Sequence, residues 1–278
     1  MFVNTLYGAS PRDIKHYDNQ RLREEFVIPD MFVADEVRLT YTHVDRMIVG
    51  GAQPVAKELE LSSGDALGTD SFFSAREMGI ANLGGTGTIE VDGTSYTLEH
   101  RDVLYVGRGT KGIKFASENP EAPANFYMNS VPAGEEFPAA LIKQEDSKPI
   151  TMGEEALSNK RTLRMYIHPE VSPSCLLLMG ITEPASGSVW NTEPPHLHER
   201  RMEAYCYFNM APGHRVMHFM GEPTEIRAMP IANLEGLVSP AWSIHMGAGT
   251  GPYCFVWGMT GENKAYWDSN PVAVSELR

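Results

Sequence analysis

Residues 78–109 read "MGIANLGGTGTIEVDGTSYTLEHRDVLYVGRG". Apolar and β-branched residues alternate with polar ones, and glycines and Asp92-Gly93 punctuate the run. Period-two alternation marks a strand with one buried face, because successive side chains point to opposite sides. Asp-Gly between "TIEV" and "TSYTL" predicts a two-residue hairpin, since both turn positions need positive φ. On the N-terminal side, "FVADEVRLTYTHVDRMIVGGAQPV" (32–55) carries the same signals. After residue 160 they resume in "RTLRMYIHP", "SCLLLMGITEPASGSVW", "MEAYCYFNM", "HRVMHFMG", "EIRAMPIA", "WSIHMG" and "YCFVWGMTG". Helical periodicity is weak, with short candidates near 17–25 and 136–143. The stretch 133–160, rich in Pro, Glu and Lys, reads as the connection between two β-rich halves. Many short strands with Gly/Pro turns predict an all-β chain of sandwich or barrel type. The halves match in length and pattern, which points to a duplicated β-barrel.

The 278 residues are 42% hydrophobic and 21% charged, within the range of ordinary globular proteins, and carry a formal charge of -13. That charge argues against nucleic acid and anionic membranes as partners, because both reward a basic surface. It leaves room for an anionic small molecule held by a local arginine. No apolar run approaches the roughly 18 residues that span a bilayer. The start, "MFVNTLYGASPRDIKHYDNQ", lacks the pattern of a signal peptide. Three cysteines, Cys175, Cys206 and Cys254, form no CxxC pair and read as apolar fillers in a cytoplasmic protein without disulfides.

Chemistry concentrates in "NTEPPHLHERRMEAYCYF" (191–208). Side chains two apart on a strand share a face roughly 6–7 Å apart, so His196 and His198 can aim at one ion at about 2.1 Å. Glu203 lies an odd number of residues from His198 and would face the opposite way in an unbroken strand. A turn or bulge is therefore required within "HERRME", with Glu203 starting a neighbouring strand. Two histidines and a carboxylate ordinarily gain a fourth ligand or a water. His168, His214, His218 and His245 are the remaining histidines of this half. Of these, the "GHRVMHF" hairpin bearing His214 and His218 reads as an outer or rim strand.

The spacing H-x-H-x4-E, followed about forty residues later by a strand-borne His, resembles the two metal motifs of a cupin barrel. The strings "FVADEVRLTYTHVDRMIVGG", "EHRDVLYVG", "WNTEPPHLHERRMEAYCYFNM", "SPAWSIHMGAGT", "FVWGMTGEN" and the terminal "VAVSELR" narrow the likeness. Together they resemble the 5-keto-4-deoxyuronate isomerase family, formally 4-deoxy-L-threo-5-hexosulose-uronate ketol-isomerases, nearly end to end.

The resemblance implies a bicupin with few short helices: a metal-free barrel over 1–140 and a metal-binding barrel over 141–278. It implies one Zn2+ per chain on His196, His198, Glu203 and His245, and a hexameric assembly. It also implies interconversion of 5-dehydro-4-deoxy-D-glucuronate and 3-deoxy-D-glycero-2,5-hexodiulosonate in pectin and uronate breakdown. The general acid or base must be ionisable and near the ion without ligating it. Tyr205 and Glu199 are the nearest candidates, and Tyr205 and Tyr207 would share the face of Glu203. A hexuronate carboxylate calls for a bidentate arginine, for which Arg161 and Arg201 are the candidates, with Trp242 as a wall. The same donors could hold iron in a cupin dioxygenase, and a non-catalytic sugar-acid-binding bicupin is the third alternative.

Overall fold

The computed structural model describes residues 2–262 and 265–278. Asp92 and Gly93 take φ of 47° and 87° and close the hairpin between Gly87–Val91 and Thr94–Leu98, with Val91 opposite Thr94. Positive φ at both positions is what that turn needs, and glycine supplies it without steric cost.

The chain divides into two compact units that interleave in sequence. The first comprises Met1–Thr5, Asp30–Lys148 and Met165–Met179; the second comprises Leu6–Pro29, Pro149–Arg164 and Gly180–Arg278. Each contains strands ordered in the same way. One seven-stranded sheet runs Phe2–Leu6, Val37–Thr42, Ile48–Ala52, Phe126–Pro132, Arg76–Asn82, Val103–Val106, Ala140–Ile142. The other runs Lys148–Met152, Arg161–Ile167, Leu178–Pro184, Cys254–Gly261, Arg201–Phe208, Gly236–Ser239, Val27–Ile28. Four-stranded sheets repeat the correspondence: Leu59–Leu61, Ile113–Ser117, Gly87–Val91, Thr94–Leu98 against Trp190–Asn191, Ile244–Gly249, Val216–Glu222, Glu225–Ile231. The architecture is all-β.

Strand register aligns the two sets residue by residue. Arg76 opposes Pro132, the last residue of its neighbour, as Arg201 opposes Gly261. Met78 then stands where the second set has Glu203, and Ile80 where it has Tyr205. Counting back from the two hairpin turns, Ile89 matches Met220, so its partner Phe115 matches His245. Met78, Ile80 and Phe115 are fully buried in one hydrophobic cluster with Leu39, Phe72 and Phe126. The first interior is packed with hydrocarbon where the second carries polar groups.

The expected helix near 17–25 forms as Asn19–Phe26, capped by the Asp18 carboxylate, which accepts from the Arg21 N–H at 2.8 Å. It buries Leu22 and Phe26. The expected helix over 136–143 does not form: Ala140–Ile142 is an edge strand, with Ala140 opposite Tyr105. Tertiary pairing overrides the helix preference of a segment this short. The 133–160 connection also carries a further strand, Lys148–Met152.

His218 corrects the expectation of an outer or rim position. It is fully buried, with Nδ1 2.9 Å from the Tyr207 hydroxyl, and burial pushes its pKa down to about 3. Below pH about 6.5 the unfolded chain binds a proton that the folded chain refuses until pH about 3, so this group withdraws stability as pH falls through that window. We expect His218→Gln to flatten the acid limb of stability by up to about 1.4 kcal/mol per pH unit. Urea midpoints collected from pH 7 to 4 test this; parallel curves for the two proteins would refute it.

Candidate metal centre

The short strand His196–Leu197 pairs with Asn270–Pro271, with His196 opposite Pro271. A turn at Glu199-Arg200 follows, closed by the Arg201 N–H donating to the His198 carbonyl at 3.3 Å. The Arg201–Phe208 strand then begins, and Glu203 sits between Met259 and Ser239 of its neighbours. This turn brings Glu203 back towards the two histidines, as the odd spacing demands. His245 arrives from the Ile244–Gly249 strand, paired with Met220.

The four donor atoms form a closed ring. His196 Nε2 lies 3.1 Å from both His198 Nε2 and His245 Nε2. Glu203 Oε2 lies 3.2 Å from His198 Nε2 and 3.1 Å from His245 Nε2. All four fall within 4.8 Å of one another. Ligands held about 2.1 Å from one ion stand roughly 3.0–3.4 Å apart in octahedral or tetrahedral arrangements. The four side chains could hold a metal ion.

Their protonation suits that role. Burial, reinforced by the neighbouring imidazoles, holds His196 well below its ordinary pKa, and burial lowers His198 too. Both are therefore neutral near pH 7, the form that ligates. Burial alone would raise the Glu203 pKa, but His245 and His198 outweigh it and keep the carboxylate ionised. Three imidazoles and one carboxylate fit a divalent cation of borderline softness.

A cavity of about 330 Å³ opens on His196, His198 and Glu203. Its walls include Arg161, Tyr205, Phe255, Trp257, Tyr266 and Trp267. Thr182 and Trp257 also line it, but Thr182 Oγ1 and Trp257 Nε1 are themselves sealed from it, with no hydrogen-bond partner among the described residues.

The candidate residues separate cleanly. Arg161 lines the cavity, only 8% exposed, with Nη1 donating to the Asn159 carbonyl at 2.8 Å. Tyr205 lines it too, and burial first, then the charge of Glu203, pushes its pKa well above the ordinary phenol value. Tyr207 shares the strand face but packs against His218 and Tyr253, off the cavity wall. Glu199 is exposed in the turn and is not brought to the cavity. Trp242 meets Phe26 edge-on at 6.3 Å instead, and Trp257 and Trp267 supply the indole walls.

Arg201, the other arginine expected at the substrate, is not on the cavity wall. Its side chain is fully buried, and it donates from Nη1 to the Ala265 carbonyl at 2.6 Å and from Nη2 to the Tyr266 carbonyl at 2.9 Å. Nη2 also lies 2.6 Å from the Asp268 carboxylate and 3.2 Å from His198 Nδ1. Arg201 thus ties His198 to the wall segment bearing Tyr266 and Trp267. Arg201→Met would leave the Asp268 carboxylate and two carbonyls without their donor, and is expected to destabilise the fold by roughly 1–3 kcal/mol. Urea unfolding measures it; an unchanged midpoint would remove Arg201 from the support of this wall segment.

Sequence reading missed the wall segment 265–271 and the two threonines, Thr182 and Thr192. The aromatic pair Tyr266-Trp267 was the available signal, but no spacing rule connects it to His196 some seventy residues earlier.

Comparison with known proteins follows this geometry. The KduI/IolB family model matches residues 28–273. A 4-deoxy-L-threo-5-hexosulose-uronate ketol-isomerase from Lachnoclostridium phytofermentans is 49% identical over 271 residues, covering 98% of each chain. Among solved structures, an IolB-like protein from Salmonella typhimurium LT2 superposes with a TM-score of 0.66 at 14% identity, covering 92% of this chain and 91% of the other. Oxalate decarboxylase from Bacillus subtilis superposes at 0.57 with 10% identity, covering 81% and 71%. The last two likenesses concern the fold.

Proposed function

The chain belongs to the KduI/IolB family, and on that premise we propose that it is a metal-dependent ketol-isomerase acting on 4-deoxy-L-threo-5-hexosulose uronate. The observation that carries the reading is the ring of His196, His198, Glu203 and His245, three of which line a cavity that also presents a buried arginine. The product is 3-deoxy-D-glycero-2,5-hexodiulosonate.

The reaction moves a carbonyl from C1 to C2 with no net redox change. One proton leaves C2 and one arrives at C1, while the hydroxyl proton passes from O2 to O1. A divalent cation on the four ligands supplies Lewis-acid polarisation of the substrate's carbonyl oxygen; zinc is our assignment, one ion per chain, and the donor set supports it. In this reading Arg161 receives the substrate carboxylate through its planar fork, which its position on the cavity wall supports. Tyr205 stays a phenol at neutral pH, so it can hold and return a proton at oxygen rather than take one from carbon. Aromatic walls from Phe255, Tyr266 and Trp267 limit water at the reacting carbons. Glu199 and Trp242 are left out of the assignment because the cavity does not include them.

The remaining features are part of the same reading. The barrel with the ion is the second, and the first is metal-free and serves structure or assembly. Hydrocarbon at Met78, Ile80 and Phe115 supports that division. A hexamer in the cytoplasm is supported by the family resemblance and by the free cysteines. No described helix is long and apolar enough to cross a membrane.

A proton NMR time course on freshly generated 4-deoxy-L-threo-5-hexosulose uronate tests the function. Zinc-loaded protein should convert it without oxygen uptake, chelator-treated protein should not, and added zinc should restore turnover. Oxygen consumption would favour an iron dioxygenase, and binding without conversion a sugar-acid-binding protein; either would end the isomerase reading.

A further inference from the structure

The first unit holds a cavity of its own, about 340 Å³, lined by Tyr41, Leu67, Phe72, Ala75, Arg76 and Pro132 among others. It is apolar apart from the Tyr41 and Thr69 side chains and one cation. That cation, Arg76, is 7% exposed. Its Nε donates to Ser130 Oγ at 3.1 Å, and its Nη2 donates to the carbonyls of Arg46 at 2.6 Å and Ser130 at 2.9 Å. All three acceptors are neutral. Nη1 has no hydrogen-bond partner among the described residues, yet it is not one of the sealed orphan atoms, so it opens on the cavity.

The internal duplication shows what is missing. Arg76 and Arg201 open equivalent strands at equivalent register. The second unit gives Arg201 the carboxylate of Asp268 at 2.6 Å. The first unit gives Arg76 no carboxylate among the described residues. Burial of this cation lowers its pKa to about 10, which is the electrostatic trace of an uncompensated charge. A buried cation without a counter-charge is costly, and an anion delivered from outside relieves the cost. Apolar walls then exclude a large or heavily hydrated anion.

We infer that this cavity is a second binding site, taking a small monocarboxylate whose anionic end meets Arg76 Nη1 and whose short apolar body lies against Leu67, Phe72 and Pro132. The carboxylate could arrive on a free organic acid or on a side chain of a second copy of this chain; the observations favour the free acid, because a cavity of this volume holds a whole small molecule. The site does not depend on the isomerase reading.

Butyrate is the probe, and the isosteric neutral amide butyramide its control, each titrated into zinc-loaded full-length protein under ligand-observed NMR. We expect butyrate to bind about tenfold more tightly than butyramide, since a charge-assisted hydrogen bond is roughly twice as strong as a neutral one. Arg161→Met, which alters the other cavity, should keep this binding. Arg76→Gln should abolish it. Because a buried arginine can matter for folding, Ala66→Trp provides an independent loss: Ala66 is an exposed lining residue, and the indole would fill the cavity with Arg76 intact. Equal binding of acid and amide overturns the site, as does butyrate binding that survives both Arg76→Gln and Ala66→Trp. If butyrate fails to bind while Arg76→Gln lowers the oligomer mass on sedimentation, the carboxylate belongs to a second copy, and the small-molecule site is refuted.

Discussion

Replacing Glu203 with glutamine is expected to lower kcat/KM by about a thousandfold or more, through loss of the ion rather than of the fold. Glu203 is 6% exposed and supplies the one anion among four candidate ligands. With three imidazoles and a glutamine, a dication in this barrel would have no anionic ligand to offset its charge in a dry setting. Glutamine retains the shape and one carbonyl donor, so packing between Met259 and Ser239 should persist. Thermal melting separates metal loss from misfolding. An ion at one hundred times its Kd stabilises the wild type by about 2.7 kcal/mol, and the variant should lack that rise while melting like metal-free wild type. A variant that keeps both the metal-dependent rise and its turnover would show that Glu203 is not a ligand.

Arg161→Met carries the second large effect. The guanidinium is buried, so its pairing with a substrate carboxylate would occur away from water, where removal of one partner costs roughly 2–5 kcal/mol. That range corresponds to a fall in kcat/KM of about thirtyfold to several thousandfold. The loss should fall chiefly on KM, because the carboxylate lies at the far end of the substrate from the carbons that exchange protons. Arg161→Lys should recover only part of it, since an ammonium keeps the charge but not the planar fork. Metal affinity should be unaffected in both variants. Unchanged KM in Arg161→Met would place the carboxylate on another group.

How far the chain could be read depended on the range of each interaction. Asp92-Gly93 is a local statement about φ and was legible at once. So was the turn between His198 and Glu203, because strand parity alone forbids both on one face. His245 needed the family likeness, and the local pattern that put His218 on a rim strand was misleading. Both are buried histidines on neighbouring strands of one sheet, yet one reaches the ion ring and the other meets Tyr207.

The division between arginines was beyond sequence altogether. Arg161 and Arg201 are both buried at strand starts, but one faces a cavity and the other faces carbonyls of a segment sixty-odd residues later. Trp242 is off the cavity wall and Trp257 on it for the same reason: indoles pack wherever the register leaves room. By itself, then, the sequence determined the β architecture, the hairpin turns, the composition of the metal ring and the family, because alternation, turn chemistry and short spacings act along the chain. Only the tertiary structure decided which arginine and which indoles line the cavity, that Glu199 stays in solvent, and that Arg76 meets no carboxylate among the described residues while its twin does. Those outcomes depend on long-range strand register, and a shift of one residue in register would send each of these side chains to the opposite face.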